Sequence, residues 1–172
     1  MKEIKLWKNR KELSNKVALV DDEDYNRVMK AISSRARWYA HSSPKGSKFY
    51  AVNGSRDLAI HRVITNAPKG MDVDHINGNP LDNRKENLRI CTRSENCRNK
   101  KVRSDSATGY KGVEKPNSNL RKPFRAYIGD PTRPGVHLYL GHHVSASEAA
   151  KAYDKKALEL YGEFALLNFP RG

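Results

Sequence analysis

Short apolar runs separated by polar turns predict a small mixed module over the first 60 residues. Its predicted strands cover residues 16–20, 37–40, 48–52 and 57–60. A helix is predicted after Asp21 or Asp22, because acidic side chains stabilise the positive end of the helix dipole. The apolar residues of this helix recur at helical spacing, so their side chains are predicted to lie in the core. They are Tyr25, Val28, Met29 and Ile32.

Between residues 71 and 101 the pattern predicts a strand, a long turn, a second strand and a helix. The first strand ends at Asp74 and His75, and Thr92 stands at the capping position of the helix. Asn96 lies one turn into that helix, which is predicted to pack beside the first strand. The polar side chains of this unit are therefore expected to converge.

The residue types at this convergence suit the attack of water on phosphorus. Asp74 offers a carboxylate and Asn96 an amide carbonyl, and oxygen donors of this kind are the ligands of Mg²⁺. His75, with an unperturbed pKa near ~6.5, is a candidate general base for the water. Asn87 is expected to hydrogen-bond across the loop and fix the His75 backbone. A solvated polar turn without function is the alternative interpretation.

Residues 109–170 predict three strands packed on one helix, with the strands at 110–115, 124–129 and 137–141. Ser145 and Glu148 have the spacing of a capping box, and Gly162 can close the helix. One face of this helix is rich in alanine, which lets a helix lie close to a sheet.

Alternation along the last two strands assigns one set of side chains to the helix and another to an open face. The helix-facing set is Ala126, Ile128, Leu138 and Leu140. The open-face set is Arg125, Tyr127, His137 and Tyr139. Because the major groove of DNA admits β-strands, a basic and aromatic face is a candidate DNA-reading surface. A merely polar open face is the alternative.

The chain carries 33 Lys and Arg against 19 Asp and Glu, a net charge of +14 with a pI near 9.9. This charge exceeds the ~2–8 of small soluble domains and indicates a polyanionic partner. No apolar run approaches the ~18 residues of a membrane span, and the first residues lack the apolar core of a signal peptide. Cys91 and Cys97 have no zinc-site or redox-motif spacing, so small core residues in a reducing cytoplasm are predicted rather than a disulfide.

Residues 84–103 hold eight Lys or Arg and two Glu, a net charge of +6. Such a run is often only solvated, but beside a candidate phosphodiester site phosphate contact is the favoured interpretation. The residues expected to make these contacts are Arg93, Arg98, Lys100 and Lys101. A linker is predicted to follow over residues 104–109.

Four segments of the central unit form a known motif. They are Asp74-His75-Ile76-Asn77-Gly78-Asn79, Leu81-Asp82-Asn83-Arg84, Glu86-Asn87-Leu88-Arg89 and Ser94-Glu95-Asn96. Together they closely resemble the HNH homing endonucleases, the ββα-metal nucleases of phage and mobile introns. The resemblance implies His75 as general base, Asn87 as the residue that positions it, and Asp74 and Asn96 as metal ligands. Asn96 stands where many members have histidine, which favours Mg²⁺, with Mn²⁺ as the alternative, over a tight Zn²⁺ site.

The same resemblance implies a short helix at residues 61–64, ahead of the nuclease hairpin. His61 and Arg62 would then face the scissile phosphate. A structural role for His61 is the alternative interpretation.

A second resemblance covers residues 109–170. Its segments are Tyr110-Lys111-Gly112-Val113, Tyr139-Leu140-Gly141, Ser147-Glu148-Ala149-Ala150-Lys151-Ala152-Tyr153-Asp154 and Leu167-Asn168-Phe169-Pro170. They look like the Apetala/ethylene-response-factor DNA-binding domain, in which a three-stranded sheet enters the major groove. The reading face departs from that family, with Glu114 at a usual arginine. The DNA contacts expected here are Lys111, Arg125, Tyr127, His137 and Tyr139.

The predicted fold class is α+β, built from four segments of the chain. They are an N-terminal module (1–60), a ββα-metal nuclease core (61–103), a linker (104–109) and a DNA-binding domain with three antiparallel strands on one helix (110–172). The predicted function is metal-dependent hydrolysis of double-stranded DNA, one strand per active site, by a monomer in the cytoplasm of a phage-infected bacterial cell. No membrane partner is expected. A non-catalytic DNA-binding regulator with a vestigial nuclease fold is the alternative, and an RNA partner is disfavoured because the sheet suits a groove.

Overall fold

A computed structural model describes residues 1–43, 48–98, 102, 106–116, 120–133 and 135–169. The chain divides into two compact units, residues 1–96 and residues 97–172. Both units combine strands and helices, which confirms the predicted α+β class. The predicted domain boundaries after residues 60, 103 and 109 stay predictions. None of the described helices has the length and apolarity needed to cross a lipid bilayer.

The first unit begins with a four-stranded sheet in the order β2-β1-β3-β4. Its strands are β1 (Lys2–Trp7), β2 (Leu13–Val20), β3 (Tyr39–Ser42) and β4 (Phe49–Val52). β1 pairs antiparallel with β2 and parallel with β3, and β3 pairs antiparallel with β4. Successive side chains of a strand point to opposite faces, so β1 buries Ile4 and Leu6 and exposes Glu3 and Lys5.

Two short helices, α1 (Asp22–Lys30) and α2 (Ile60–Thr65), contribute to the core of this unit. The core residues are Ile4, Leu6, Ala18, Val20, Val28, Trp38, Ala51, Ile60 and Ile64. Full burial of a Val, Leu or Ile side chain contributes about 1.5–3 kcal/mol to stability relative to leaving it exposed. The helix predicted at residues 61–64 is confirmed as α2, and it shares a core with the N-terminal sheet.

Some details of the N-terminal prediction are wrong. Met29 is 41% exposed, because it follows Val28 on α1 and a step of about 100° turns it away from the core. Asp24 is the residue of α1 that is buried instead. The predicted strand at 57–60 is a single bridge between Val52 and Ala59, after which α2 begins. The sequence prediction also missed the strand β1, although apolar and polar residues alternate along residues 3–6, as is typical of a strand.

The central unit has the predicted order of strand, turn, strand and helix. β5 (Asp72–His75) pairs antiparallel with β6 (Leu88–Cys91), which follows a 3-10 turn at Lys85–Asn87, and α3 covers Arg93–Arg98. Thr92 begins α3 through a capping box. The Thr92 amide donates to the Glu95 carboxylate at 2.7 Å, and the Glu95 amide donates to the Thr92 hydroxyl at 3.3 Å.

The long turn between β5 and β6 is fixed to the N-terminal sheet. The Leu19 amide of β2 donates to the Leu81 carbonyl, and the Asn83 amide donates to the Leu19 carbonyl, both at 2.8 Å. The Lys85 amide donates to the Asp21 carboxylate at 2.8 Å. The turn is therefore an extension of the outer edge of β2, and its position depends on residues far away in sequence.

Both cysteines are free. Cys91 is 1% exposed and has the predicted role of a small core residue. Cys97 is exposed, so its predicted core position is wrong; α3 buries none of its residues and leaves this side chain uncovered.

The second unit is a three-stranded antiparallel sheet on one helix, as predicted. Its elements are β7 (Val113–Glu114), β8 (Phe124–Gly129), β9 (His137–His143) and α4 (Ala146–Tyr161). The Ser145 hydroxyl caps α4 by accepting from the Glu148 amide at 3.1 Å. The buried face of the sheet packs on the alanine face of the helix. These core residues are Val113, Ala126, Ile128, Ala149, Ala150, Tyr153 and Ala157.

Candidate functional site

His75 ends β5 with 6% of its surface exposed. Its ring meets the ring of His61 edge-on with centroids 5.3 Å apart, and the Tyr50 ring lies at 6.4 Å. Its Nε2 lies 3.4 Å from Oδ1 of Asn83. Removal from water lowers the pKa of His75, although Asn83 and the carboxylate of Asp74 act in the opposite direction. The imidazole is therefore neutral at neutral pH, which is the form a general base requires.

Asn87 holds the backbone that follows His75. Its Oδ1 accepts from the Asn77 amide at 2.9 Å, and its Nδ2 donates to the Asp82 carbonyl at 2.7 Å. The Asn87 carbonyl accepts from the Ile76 amide at 2.9 Å. This geometry fits the predicted role of Asn87 in hydrogen bonding across the loop. The hydrogen bonds reach the amides of residues 76 and 77 rather than His75 itself. Asn87 lies in the 3-10 turn before β6.

Two further buried polar residues of the turn belong to this arrangement, and the sequence interpretation missed both. Asp82 is 3% exposed and binds Arg84 through two hydrogen bonds of 2.8 Å. Asn83 is 1% exposed and contacts the His75 ring. The signal for both residues was their position in the Leu-Asp-Asn-Arg segment of the motif.

Asp72 and Asp74 share one face of β5, because they are two residues apart on a strand. Arg89 donates from Nε and Nη2 to Oδ2 of Asp74 at 2.9 and 2.7 Å. Asn96 donates from Nδ2 to Oδ2 of Asp72 at 2.8 Å, which lowers the pKa of that carboxyl group. Of the two predicted ligands, Asn96 of α3 therefore contacts Asp72, which shares a face of β5 with Asp74, and Asp74 contacts Arg89.

This face of β5 carries the donor set of a hard cation. Asp72, Asp74 and Asn96 supply oxygen atoms, and Mg²⁺ typically takes one or two protein carboxylates together with water and phosphate oxygens. Among the described residues, no group of three or more His, Cys, Asp and Glu side chains is placed to hold a metal ion. A cation here would therefore depend on water and a phosphate for part of its coordination. Asp72 was missed from sequence, and its spacing of two from Asp74 was the available signal.

The His61 ring packs against the rings of both His75 and Tyr50, with centroid distances of 5.3 and 6.2 Å. Within the described part of the chain its Nδ1 is enclosed and has no hydrogen-bond partner. Removal from water, with the neighbouring His75 and Arg62 charges, lowers the pKa of His61 to about 3. These contacts favour the structural role, and the phosphate-facing role stays a prediction.

The lowered pKa of His61 predicts an acid-sensitive fold. The unfolded chain takes up a proton below pH ~6.5, whereas the folded chain resists it until about pH 3. Stability is therefore fully present above pH ~6.5 and falls by about 1.4 kcal/mol per pH unit as the pH drops toward 3. The free energy of unfolding in urea should decrease less between pH 7 and pH 5 for His61→Phe, which keeps a ring at this position, than for the unchanged protein. An equal decrease in both proteins would refute this account.

Arg62 is engaged with the backbone. Its Nη1 donates to the Met71 carbonyl at 2.9 Å, and its Nη2 donates to the carbonyls of Ala67 and Pro68 at 3.0 and 3.1 Å. The guanidinium group therefore holds the loop that leads into β5. Its predicted position facing the scissile phosphate stays a prediction.

The basic residues around α3 and β7 have different environments. The Arg93 side chain is 83% exposed and lies 3.3 Å from Asp72. Within the second unit, the Arg98 guanidinium lies 4.5 Å from the Tyr161 ring centroid. Lys111 donates from Nζ to the Arg98 carbonyl, and burial lowers its pKa to about 8. Lys100 and Lys101 lie outside the described residues. The DNA contacts predicted for all five residues stay predictions.

The open face of the second unit has the predicted members. Arg125, Tyr127, His137 and Tyr139 line a shallow depression of about 280 Å³ together with Glu114. Ala126 and Ile128 are buried on the opposite face, so the assignment of faces is confirmed. Glu114 lies opposite Arg125 across β7 and β8, and the two side chains pair at 2.7 Å.

A β-bulge in β9 adds a residue to this face. Arg125 pairs with His142 and Tyr127 with Tyr139, so two steps along β8 correspond to three along β9. Gly141 within the extra step has a φ of +103°. Simple alternation places His142 toward the helix, but the bulge turns it to the open face, where its ring lies 5.7 Å from the Tyr139 ring. A glycine inside a strand was the signal for this bulge.

Comparison with known proteins agrees with this geometry. A family model described as HNH endonuclease matches residues 59–98, which contain β5, the long turn, β6 and α3. An uncharacterized HNH endonuclease of Acanthamoeba polyphaga mimivirus is 32% identical over 146 residues, covering 80% of this chain and 69% of that protein.

Two shorter matches are to a plant transcription factor and to a phage protein. Ethylene-responsive transcription factor 1 of Solanum lycopersicum is 51% identical over 47 residues, covering 27% of this chain and 19% of that factor. Protein 3.8 of Escherichia phage T7 is 44% identical over 46 residues, covering 27% of this chain and 38% of that protein. The chain thus spans less than two thirds of both proteins. The plant match supports a C-terminal DNA-binding domain of the Apetala/ethylene-response-factor type. With a ββα motif that the family model matches and a viral relative aligned over most of its length, the chain belongs to the HNH endonuclease family.

Proposed function

We propose that this protein is a divalent-metal-dependent endonuclease that hydrolyses a phosphodiester of double-stranded DNA. The observation that carries the proposal is a neutral, buried His75 at the end of β5, the strand that bears the carboxylates of Asp72 and Asp74 and is contacted by Asn96 of α3. The hydrogen-bonded turn around Asn87 supports it, because it fixes the backbone after His75.

The proposed reaction assigns one proton transfer to the protein. His75 accepts a proton from water as the water oxygen forms a bond to phosphorus. The bond between phosphorus and the 3′ oxygen breaks, and that oxygen takes up a proton from solvent. The products are a 5′-phosphate and a 3′-hydroxyl. His75 then returns its proton to solvent.

Asp74 and Asn96 are the proposed holders of the cation, with Asp72 as the neighbouring carboxylate. Their hard oxygen donors fit Mg²⁺, with Mn²⁺ as an alternative. When bound, such an ion supplies positive charge to the departing 3′ oxygen and the crowded phosphate. Arg89 orients the Asp74 carboxylate through its two hydrogen bonds.

One such site in a monomer cuts one strand for each binding event, so the proposed product is a nick. The second unit is proposed to contribute affinity for DNA. Its open face would enter the major groove through Arg125, Tyr127, His137 and Tyr139. A non-catalytic regulator remains the second candidate function, because the plant match supports DNA binding without cleavage. The complete set of Asp74, His75, Asn87 and Asn96 favours the enzyme.

Supercoiled plasmid distinguishes the two functions. With Mg²⁺ the purified protein should convert supercoiled plasmid to nicked circles, and EDTA should stop the conversion. Asp74→Asn keeps the size of the side chain but removes its charge, and should slow nicking by about 10²-fold at fixed Mg²⁺, as expected for lost charge stabilisation. Gel-shift affinity without metal should be unchanged. Asp72→Asn is the matched variant that shows which carboxylate holds the ion. DNA binding without nicking under any divalent cation would leave the regulator.

A further inference from the structure

A basic cavity of about 420 Å³ lies in the first unit, away from β5 and β6. Lys8, Arg10, Arg37 and Arg56 are among the residues that line it, and no Asp or Glu is among the described residues that do so. Like charges gathered in one concave surface raise its positive potential and attract an anion. Lys8 lies 3.5 Å from the Glu12 carboxylate, so the three arginines provide most of the uncompensated charge.

Arg37 is preorganised in this cavity. Its guanidinium carbon lies 3.6 Å from the centroid of the Trp7 ring, and Nη1 donates to the Arg10 carbonyl at 2.7 Å. A guanidinium group has five N–H donors and no acceptor, and stacking on an aromatic ring fixes its plane. Such a group suits a ligand that only accepts hydrogen bonds, and its ordering cost is already met in the folded chain.

Arg56 reaches the cavity from a strained turn. Its φ of +64° lies in the left-handed region, which is uncommon for residues other than glycine. Asn53 holds the turn: its carbonyl accepts from the Arg56 amide at 3.1 Å, and its Oδ1 accepts from the Leu58 amide at 3.2 Å. Strain of this kind costs energy and persists where the surrounding structure enforces it, often at functional sites.

The nearest acidic residue of this turn is engaged locally. Oδ1 of Asp57 accepts from the Ser55 hydroxyl at 2.7 Å and from Nδ2 of Asn53 at 2.6 Å. These two hydrogen bonds lower the pKa of Asp57. The carboxylate thus stabilises the turn that carries Arg56, and it is not among the residues that line the cavity.

We infer that this cavity binds a phosphate group of the DNA backbone and anchors the duplex at a second point on the first unit. The inference rests on the DNA binding proposed above. Phosphate oxygens are acceptors only, and the planar guanidinium fork matches them in geometry and charge. A contact of this kind is independent of base sequence and positions the duplex for cleavage at the site of β5 and β6.

The test is the salt dependence of duplex affinity in the full-length protein. Each neutralised phosphate contributes about −0.9 to the slope of log affinity against log salt. Arg56→Gly is the sharpest variant, because glycine adopts the left-handed conformation without strain and the fold is preserved. Arg37→Ala and Arg56→Gly combined should reduce the slope by about one and weaken binding by about 8-fold at 0.1 M salt, because both act on the same phosphate. Each single variant should show part of both losses.

Lys30→Ala is the matched control, because Lys30 is an exposed cation of α1 in the same unit and does not line the cavity. Its slope should equal that of the unchanged protein. The loss of affinity for Arg56→Gly should be the same for unrelated duplexes, because a phosphate contact is independent of base sequence. An equal effect of Lys30→Ala, or an unchanged slope for Arg56→Gly, would overturn the inference. If the unchanged protein binds no duplex, the proposed function itself fails.

Inorganic phosphate distinguishes a site for the DNA backbone from a site for a free anion. Thermal unfolding of the DNA-free protein is followed as phosphate is added at constant ionic strength. A backbone site predicts little stabilisation by free phosphate together with the altered salt slope. The opposite result is that free phosphate stabilises the protein, Arg56→Gly abolishes this stabilisation, and the salt dependence of duplex affinity is unchanged in the variant. The cavity would then be a site for a free phosphate ion and not for the DNA backbone.

Discussion

His75→Ala is expected to lower the single-turnover rate of plasmid nicking by about 10²–10⁴-fold while duplex affinity changes less than twofold. The substitution removes the group proposed to accept the proton of the attacking water. It leaves Asp74, Asn96 and the basic residues in place, so the charges that attract DNA are unaltered. The rate is measured with protein in excess over plasmid, and affinity by gel shift without a divalent ion.

Two measurements separate the loss of a base from damage to the fold. The truncated side chain leaves a space beside Tyr50 and His61, and added imidazole should restore part of the nicking rate. His143→Ala removes a histidine of β9 in the second unit and should nick at the unchanged rate. Full nicking by His75→Ala would remove His75 as the base and leave the hydrolytic step to another group.

Local signals in the sequence predict most of the elements around the candidate site. Thr92 and Ser145 begin helices α3 and α4 through hydrogen bonds to residues three positions ahead, so a short window of sequence contains the whole cause. The strands β5 and β6 flank a turn of asparagine and glycine, whose backbone preferences are equally local.

The missed contacts depend on residues distant in sequence or on one irregular residue. Asn96 binds Asp72 rather than Asp74, and two carboxylates two positions apart on a strand cannot be distinguished from sequence alone. The pairing of Leu19 with the long turn joins segments about sixty residues apart. Gly141 shifts the register of β9 and brings His142 to the open face, which an unbroken alternation cannot show.

The two units are proposed to contribute different parts of the function. In the first unit, buried polar groups hold one imidazole and a pair of carboxylates in fixed positions. In the second unit, small alanine side chains bring α4 close to the sheet and leave the opposite face for basic and aromatic residues. In the proposed function the second unit contributes affinity for DNA, and the turn between β5 and β6 positions the groups for hydrolysis. Loss of packing in the second unit should therefore lower DNA affinity more than the rate of nicking.

Gly112→Ala is expected to destabilise the second unit by about 3–5 kcal/mol, a large part of the stability of a small domain. The φ of Gly112 is +70°, and an added Cβ would overlap Cδ2 of Tyr153 and lie 2.5 Å from the carbonyl oxygen of Tyr127. Tyr153 is a buried ring of α4 and Tyr127 is on β8, so neither can move without separating the helix from the sheet. Gly109→Ala is the matched control, because Gly109 has the same φ of +70° with nothing within 4 Å of an added Cβ. It should lose only about 1–2 kcal/mol from backbone strain.

The position of the tryptophans makes this prediction specific to one unit. Both tryptophans, Trp7 and Trp38, lie in the first unit, so their fluorescence reports its unfolding alone. Hydrogen exchange of peptides within residues 106–169 reports the second unit. Gly112→Ala should raise exchange there and weaken duplex binding, while the tryptophan transition and slow nicking at high DNA concentration persist. Unchanged affinity with an unfolded second unit would refute its proposed role in gripping DNA, and unchanged exchange would refute the packing around Gly112.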